Sequence, residues 1–250
     1  CAGSGHPGSS LSAVEIMATL YFTDVFTCFP DRPHAPERDR FVLSKGHAAP
    51  AYYSILAHKG YLPLALLDTL RTVGSALQGH PNLEKLPCLD CAVGSLGLSI
   101  ANGIALALKL RHETPEVFCL IGDGEQQEGQ IWEAAAFASQ HHLDNVCLIV
   151  DCNGLQLVDS LVSIKNMEPI DAKWESFGWH VLRVDGHDTD ALYDAYGAAK
   201  AYRGKPTVIL AHTVKGKGVS YMENQAKWHG AAPDEAQYRL AMDELTTEVP

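Results

Sequence analysis

The sequence predicts an α/β fold in which a mostly parallel central sheet is flanked by helices. Two observations support this prediction: short apolar runs of strand length recur along the chain, and segments with apolar residues at helical spacing separate them. This alternation is typical of parallel sheets, because parallel neighbours need a crossover connection. With 250 residues and 46% hydrophobic content, the chain can bury the core of one such domain, residues 1–250.

The individual elements follow from their patterns in chain order. Ser9 or Ser10 is placed to cap the first helix, a turn-rich stretch follows at 30–36, and Gly60 is a typical stop for the second helix. The predicted helices are 12–26, 49–59, 64–73, 97–111, 128–141, 191–202 and 234–245. The predicted strands are 41–43, 117–121, 146–151, 180–184 and 207–211. The helix at 97–111 is apolar almost all round, which favours burial in the core or against a second subunit.

Two of the strands end in residues that suit a divalent metal bound to a diphosphate. Gly122-Asp123-Gly124 follows one strand, and Asn153-Gly154-Leu155 follows the next. If the helix between them joins the strands as parallel neighbours, their carboxyl ends meet at one edge of the sheet, where such folds bind ligands. Carboxylate, amide and carbonyl oxygens suit Mg²⁺ or Ca²⁺, which predicts Asp123, Asn153 and the Leu155 carbonyl as metal ligands. Either motif alone is more often a simple turn.

This pair of motifs resembles the thiamine-diphosphate signature of the transketolase family. Other motifs similar to that family follow in order over nearly the whole chain: GSGHPG from Gly3, SKGH from Ser44, GHP from Gly79, GSLG from Gly94, VDGHD from Val184, KGKGV from Lys215 and WHG from Trp228. The resemblance implies the diphosphate-binding domain of the thiamine-diphosphate-binding fold. It also implies thiamine diphosphate and Mg²⁺ (or Ca²⁺) as cofactors, and a helical segment before Cys1.

The resemblance assigns roles to individual residues. His6, His47, His80 and His229 would be the catalytic residues, because the family's histidines at these motifs contact sugar hydroxyls and move protons. Cofactor contacts would come from Gly94, Leu96, Gly124, Asn153 and Leu157. Glu128 would lie at a subunit interface, although an acid at a helix start is also explained by the helix dipole.

Several positions leave an alternative open. A histidine beside glycine is, taken singly, more often a turn residue. The family continues GSLG with Gln and Gly, whereas this chain has Leu98 and Ser99, which changes the usual hydrogen bonds at that helix start. Lys215 and Lys217 would either face anions in the cleft or form an exposed basic turn. The remaining histidines are predicted to be structural, with His187 the least secure because VDGHD has no assigned role: His34, His58, His112, His141, His142, His180, His187 and His212.

Composition restricts partners and location. A formal net charge of −11 without a basic run argues against nucleic-acid or anionic-membrane partners. No apolar segment reaches the length of a bilayer span, and no basic and apolar leader precedes the first motif. The seven cysteines are an odd number, and the Cys88-x-x-Cys91 pair lacks a second pair at zinc spacing. We therefore expect a cytoplasmic protein.

Together the motifs predict the N-terminal subunit of a two-component transketolase, which transfers a two-carbon ketol unit from a ketose or ketose phosphate to an aldose. The family's pyrimidine-binding and C-terminal domains are expected on a separate partner chain, in a heterotetramer, because the residue that activates the cofactor belongs to them. Alternatives are a deoxyxylulose-phosphate synthase, a relative that makes modified sugars or secondary metabolites, and a non-catalytic regulatory subunit.

Overall fold

The centre of the computed structural model, which describes residues 2–92 and 94–247, is a five-stranded sheet. Its strand order is β1-β2-β3-β7-β6, and every neighbouring pair is parallel. A short antiparallel hairpin, β4 with β5, lies outside this sheet. The strands are β1 (Arg40–Leu43), β2 (Val117–Gly122), β3 (Val146–Cys152), β4 (Leu155–Gln156), β5 (Asp159–Ser160), β6 (His180–Asp185) and β7 (Thr207–His212). The predicted fold class is confirmed, while Cys1 and 248–250, the ends of the predicted domain, lie outside the described residues.

Helices cover both faces of the sheet. They are α1 (Pro7–Leu11), α2 (Val14–Phe22), α3 (Ala49–Lys59), α4 (Leu98–Leu110), α5 (Gly129–Gln140), α6 (Leu161–Lys165), α7 (Ile170–Ser176), α8 (Thr189–Ala201) and α9 (Glu235–Thr247). Because side chains alternate along a strand, Phe118 and Leu120 face the layer of α2, α3 and α8, whereas Cys119 and Ile121 face α4, α5 and α7. Strand β2 is therefore apolar on both faces, as expected for a strand in the interior of a parallel sheet.

The first predicted helix is divided in two. In place of one helix over 12–26, α1 ends at Leu11 and α2 begins at Val14. The break lies at Ser12, whose hydroxyl donates to Oδ2 of Asp151 at 2.6 Å, on the far side of the sheet edge. This long-range hydrogen bond turns the start of the chain across the carboxyl ends of the strands.

Two other helix predictions differ from the structure. The helix predicted over 64–73 is only a 3-10 helix, Leu64–Thr69, because none of its residues is buried and no apolar face stabilises a longer helix. It is followed by Arg71 in a left-handed conformation, with φ of 60°. Helix α4 is buried along one side only, and Leu98 is 53% exposed. None of the helices in the described part of the chain is both long and apolar enough to cross a membrane.

A small separate core holds the last segment of the chain. Val219, Met222, Trp228 and Ala241 pack together there, and α9 supplies the last of them. Trp228 ends up buried beside His229, within the 3-10 helix Ala226–His229. This arrangement brings the C-terminal WHG motif back to the sheet edge formed by the first half of the chain.

Candidate functional site

The carboxyl ends of β2 and β3 bring two aspartates together. Asp123 follows β2 and is 3% exposed, and Asp151 is the fully buried residue beside it at the end of β3. The Asp123 carboxylate accepts hydrogen bonds from Gly124 N at 2.7 Å and Gly154 N at 2.6 Å. Burial, reinforced by the neighbouring Asp151, raises the pKa of Asp123 to about 6. A buried carboxylate in this setting favours an added cation.

The three residues predicted as metal ligands meet at this point. Asn153 accepts the Leu155 N–H on its Oδ1 at 3.2 Å and donates from Nδ2 to Asp151 at 3.3 Å. Its side chain, the Asp123 carboxylate and Leu155 all line one cleft of about 180 Å³. The set offers carboxylate, amide and carbonyl oxygens and contains no thiolate, so its chemistry fits Mg²⁺ or Ca²⁺.

Two buried lysines balance the aspartates. Lys45 forms an ion pair with Asp151, and both side chains are almost fully buried. Lys215 is 2% exposed, and its Nζ donates to the Leu155 carbonyl at 3.2 Å. Burial, aided by the nearby Lys45 ammonium, lowers the pKa of Lys215 to about 8. Lys215 therefore belongs to the cleft, and the alternative of an exposed basic turn is wrong for it, whereas Lys217 lies further out, 3.9 Å from Glu223.

Glu125 connects three of the sequence motifs at the cleft wall. Its buried carboxylate accepts hydrogen bonds from the Ser44 hydroxyl, from Gly97 N at 2.7 Å and from Gly122 N at 3.1 Å. The donors come from the SKGH, GSLG and GDG motifs, so one side chain sets their relative positions. Sequence reasoning missed Glu125, as it did Lys45 and Asp151, because nothing in the local pattern separates a buried charged residue from an exposed one.

The four predicted catalytic histidines form one cluster at the mouth of the cleft. The ring centres of His6 and His47 are 4.6 Å apart, and His229 lies 5.4 Å from His6 and 5.3 Å from His47. His80 lies 5.7 Å from His47. Four segments that are distant in sequence thus place imidazoles side by side, and no single motif could have shown this.

These histidines are neutral at neutral pH. Burial, with smaller contributions from neighbouring cations and histidines, lowers the pKa of His47 to about 4 and that of His229 to about 3. The same cause lowers the pKa of His6 and of His80. Neutral imidazole both donates and accepts hydrogen bonds, which suits contacts to hydroxyl groups.

A second chemistry for the cluster is zinc binding. One nitrogen from each of His6, His47 and His229 lies within 4.8 Å of the others, and three histidines are a typical zinc set. However, Lys215 Nζ lies 3.0 Å from His229 Nδ1. An ammonium there donates to Nδ1, so the neutral His229 ring carries its proton on Nε2. Neither ring nitrogen of His229 then has a lone pair available for zinc. The cluster is therefore better suited to hydrogen bonding.

The predicted cofactor-binding residues have different environments. Leu96, Gly124 and Leu157 line the cleft together with the predicted metal ligands. Gly94 is exposed, with open space where a Cβ would be. Leu157 is 55% exposed and adopts a φ of 49°. Glu128, predicted at an interface, is exposed at the start of α5 and its side chain makes no capping hydrogen bond.

A larger cavity shares Asp123 with this cleft. It measures about 350 Å³ and is lined by Cys152, Arg183 and Leu210 among others. Of the predicted site residues only Asp123 reaches it, and Arg183 there is already paired with Asp171. The smaller cleft, where the predicted metal ligands meet two of the histidines, is therefore the candidate site.

Comparison with known proteins identifies the family. Residues 1–248 match the family described as "Transketolase, thiamine diphosphate binding domain". The chain belongs to this family. It is 44% identical over 248 residues to the 6-deoxy-6-sulfo-D-fructose transketolase subunit SqwG of Clostridium sp. (strain MSTE9), covering 98% of this chain and 90% of that subunit. The transketolase family and the thiamine-diphosphate-binding fold inferred from the motifs are thereby confirmed.

Other transketolase relatives differ in how much of them the chain spans. An apulose-4-phosphate transketolase subunit from Phocaeicola vulgatus is 39% identical, with 99% of this chain and 88% of that subunit covered. Human transketolase is 46% identical over 232 residues, which is 92% of this chain but 36% of that protein. The crystal structure of Campylobacter jejuni transketolase superposes with a TM-score of 0.91 at 34% identity, covering 98% of this chain and 40% of that one.

Proposed function

We propose that this chain is the diphosphate-binding subunit of a two-component transketolase that transfers a two-carbon ketol unit from a ketose or ketose phosphate to an aldose. The proposal depends mainly on one observation. The oxygen-rich ends of β2 and β3, with Asp123 and Asn153, open into the cleft that His47 and His229 also line. A site for a metal and diphosphate thus adjoins neutral histidines that can contact a sugar.

The residues that would hold the cofactor follow from this geometry. We assign Asp123, Asn153 and the Leu155 carbonyl to Mg²⁺ or Ca²⁺, because all three supply hard oxygen atoms. Gly94, Leu96, Gly124 and Leu157, together with Asn153, are assigned to thiamine diphosphate. When bound, this cofactor supplies the carbon nucleophile that breaks and remakes the carbon–carbon bond, and the protein supplies position and proton transfer.

The histidine cluster would act on the sugar. His6, His47, His80 and His229 present neutral imidazoles at neutral pH. Such a ring has one N–H that can donate a hydrogen bond to a sugar hydroxyl, and one unprotonated nitrogen that can accept a hydrogen bond or a proton from it. We assign them as the catalytic residues of this subunit.

A partner chain is expected to complete the site. The two relatives that this chain matches over nearly their whole length are both named as transketolase subunits. We propose a separate C-terminal subunit that carries the pyrimidine-binding domain, in a heterotetramer with Glu128 at an interface. Exposed apolar residues beside the cleft, Leu157, Val158 and Val162, are available for such contacts. Free cysteines such as Cys119 and Cys147, buried in strands, suit a cytoplasmic location.

A modified sugar is the second candidate substrate. The relatives named above act, by name, on a deoxysulfo sugar and on apulose 4-phosphate. We therefore propose that the substrates are either the ketoses of general sugar metabolism or a modified ketose, and that the partner chain determines which.

Titration calorimetry with thiamine diphosphate, at fixed Mg²⁺, tests the binding assignment. Asp123→Asn removes the carboxylate charge but keeps an acceptor for the Gly124 or Gly154 N–H, so the fold should survive while affinity falls by about 100-fold or more. Asp159→Asn, which changes an exposed acid of strand β5, is the matched control and should bind like the wild type. Equal affinity of Asp123→Asn and the wild type would refute the site.

A further inference from the structure

His187 of the VDGHD motif lies away from the cleft yet contacts one of its walls. Its side chain is 13% exposed and sits between α2 and the segment that follows β7. The ring Nε2 accepts a hydrogen bond from the Val214 N–H at 2.8 Å. On the other side, Nδ1 lies 3.2 Å from the Glu15 Oε2. The ring therefore joins a helix of the first layer to the residue before Lys215.

The contacts fix which ring nitrogen carries the proton. Nε2 accepts from a backbone amide and must be unprotonated, so the neutral ring carries its proton on Nδ1, toward Glu15. The 3.2 Å contact is not well aligned as a hydrogen bond, and neither Nδ1 nor Oε2 has another partner within the described chain. Attraction between the N–H and the carboxylate keeps His187 turned toward Val214.

The loop that carries His187 is itself held tightly. The Asp185 carboxylate accepts the His187 N–H at 2.9 Å, and Gly186 N donates to the His212 carbonyl at 2.7 Å. A Cβ on Gly186 would lie 2.4 Å from Cγ2 of Thr213, so only glycine allows this approach. The motif thus fits directly against the segment after β7 and brings the imidazole to it.

Residues 213–216, which we call the Lys215 segment, are held by several hydrogen bonds. The Thr213 hydroxyl donates to Asp151, and the Lys215 carbonyl accepts from Asn224 N at 2.9 Å. Three backbone N–H groups of the segment also donate. Thr213 N donates to Cys152 O at 3.2 Å, Val214 N donates to His187, and Gly216 N donates to Gly8 O at 3.1 Å. Lys215 lies between the last two. Its Nζ reaches the Leu155 carbonyl at 3.2 Å and His229 Nδ1 at 3.0 Å. Of the three N–H contacts, the one to His187 is the only one made with a side chain.

We propose that His187 is a positioning residue for the active site: it holds the Lys215 segment so that Lys215 orients the His229 ring and the Leu155 carbonyl. This rests on the proposed function, which gives His229 and Leu155 their roles. The proposal requires opposite tautomers of the two histidines. His187 must carry its proton on Nδ1, and His229 must carry its proton on Nε2. His187 does not line the candidate cleft and acts only through Lys215.

Paired substitutions separate positioning from general stability. Gln places its amide oxygen near the position of Nε2, whereas Asn places it near that of Nδ1, so only His187→Gln can still accept the Val214 N–H. The control is Asp188→Ala in the same motif, since Asp188 caps α8 through Asp190 N and Ala191 N and has no contact with the Lys215 segment among the described residues. That change removes a helix cap and so lowers stability without altering the hydrogen bond from Val214 to His187.

The readouts are the ¹⁵N shifts of the histidine side chains in the unliganded chain, and the affinity for thiamine diphosphate with Mg²⁺. We expect the wild type to show the two opposite tautomers. In His187→Asn the Nδ1 shift of His229 should move and affinity should fall about tenfold, while His187→Gln and Asp188→Ala stay close to the wild type in both.

The proposal is overturned if His187→Asn leaves the His229 shifts unchanged, or if Asp188→Ala moves them as much. It is also overturned if His187→Gln behaves like His187→Asn. The outcome is distinct from failure of the proposed function, which would appear as a wild-type chain that binds no thiamine diphosphate. The nitrogen shifts of the unliganded chain would still report whether His187 positions Lys215.

Discussion

Glu125 shows how a single buried carboxylate organises this site. It accepts hydrogen bonds from Ser44, Gly97 and Gly122, which lie far apart in sequence, and all of these contacts are inside the protein. Burial raises the pKa of Glu125, and the three hydrogen bonds oppose this effect by favouring its charged form. Loss of the side chain would leave three donors without an acceptor.

Glu125→Ala is therefore expected to lower the free energy of unfolding by about 2–4 kcal/mol, because each buried donor without an acceptor costs about 1–3 kcal/mol and some will recruit water. Urea denaturation measures this change. Glu128→Ala, in the same turn but exposed, is the matched control and should stay within about 0.5 kcal/mol of the wild type. A small effect of Glu125→Ala would mean that the motifs find their positions without this residue.

A second acid, Glu116, predicts a dependence of stability on pH. It lies buried at the opposite edge of the sheet, with Arg203 Nη2 3.2 Å from its Oε1. Burial raises the pKa of Glu116 from 4.5 to about 7. A carboxyl group with a raised pKa binds more protons in the folded state, so its stabilising contribution is complete below about pH 4.5 and is lost as pH rises through about 7.

Glu116→Gln should remove the loss of stability that the wild type suffers as Glu116 ionises at high pH. We expect the variant to be more stable than the wild type by about 1–3 kcal/mol at pH 8 and to lose this advantage at pH 4.5. Urea denaturation across this range measures the difference between the two proteins. Glu113→Gln, an exposed neighbour, should show no such trend, and a pH-independent difference for Glu116→Gln would contradict the raised pKa.

Among the elements, α4 approaches the sheet unusually closely. A Cβ added to Gly103 in the middle of this helix would lie 2.3 Å from Sγ of Cys119 in β2. In a helix interior alanine is otherwise preferred over glycine by about 1 kcal/mol. In a Gly103→Ala variant, the clash between the new Cβ and the sulfur would outweigh this helix preference. The sulfur has no room to move, because Cys119 is fully buried.

Gly103→Ala is accordingly expected to destabilise the protein by about 1–3 kcal/mol. Cys119→Ala removes the sulfur, so the double variant should lose less stability than the sum of the two single variants. The difference is the coupling energy between the two positions, measured by denaturation of all four proteins. Strict additivity would show that α4 moves away from β2 without cost.

The elements that could be predicted from sequence are those whose pattern is local. Every strand of the parallel sheet has an apolar run that long-range contacts only reinforce. The first helix was predicted as one element because the apolar spacing continues through its break, and the Ser12 hydrogen bond to Asp151 that causes the break joins residues far apart in sequence. The hairpin of β4 and β5 is too short for any periodicity to indicate it.

The site was predicted to a similar extent and for a similar reason. Asp123 and Asn153 were found because glycine-rich turns after apolar strands indicate a strand end near a ligand. Lys45, Asp151 and Glu125 were not, because their importance comes from partners in other motifs. Charged residues acquire such roles through burial, and burial depends on the complete fold.

At the scale of the whole molecule, the proposal requires a second chain to complete the cleft. We predict that the purified chain with thiamine diphosphate and Mg²⁺ has no measurable ketol-transfer activity, and that the chain that co-purifies with it from the source organism restores turnover. Light scattering of the active mixture should give the mass of two copies of each chain. Full turnover by the isolated chain would contradict the two-component proposal.

The same mixture separates a catalytic from a regulatory subunit. In the complex, Asp123→Asn should abolish turnover, and Asp159→Asn should leave it intact. If the complex turns over equally well with Asp123→Asn, the chain contributes no cofactor site and serves only to regulate its partner.

The strand order has a consequence for how the protein is made. β7 is the last strand of the sheet in sequence, yet it lies inside the sheet, between β3 and β6. On the ribosome, β6 emerges earlier and has no neighbour to pair with until Thr207–His212 follows. Until then both β3 and β6 present open edges, which are the features that promote mispairing with other chains. The last fifth of the chain therefore completes the sheet, supplies Lys215 and His229 and closes those edges in one event.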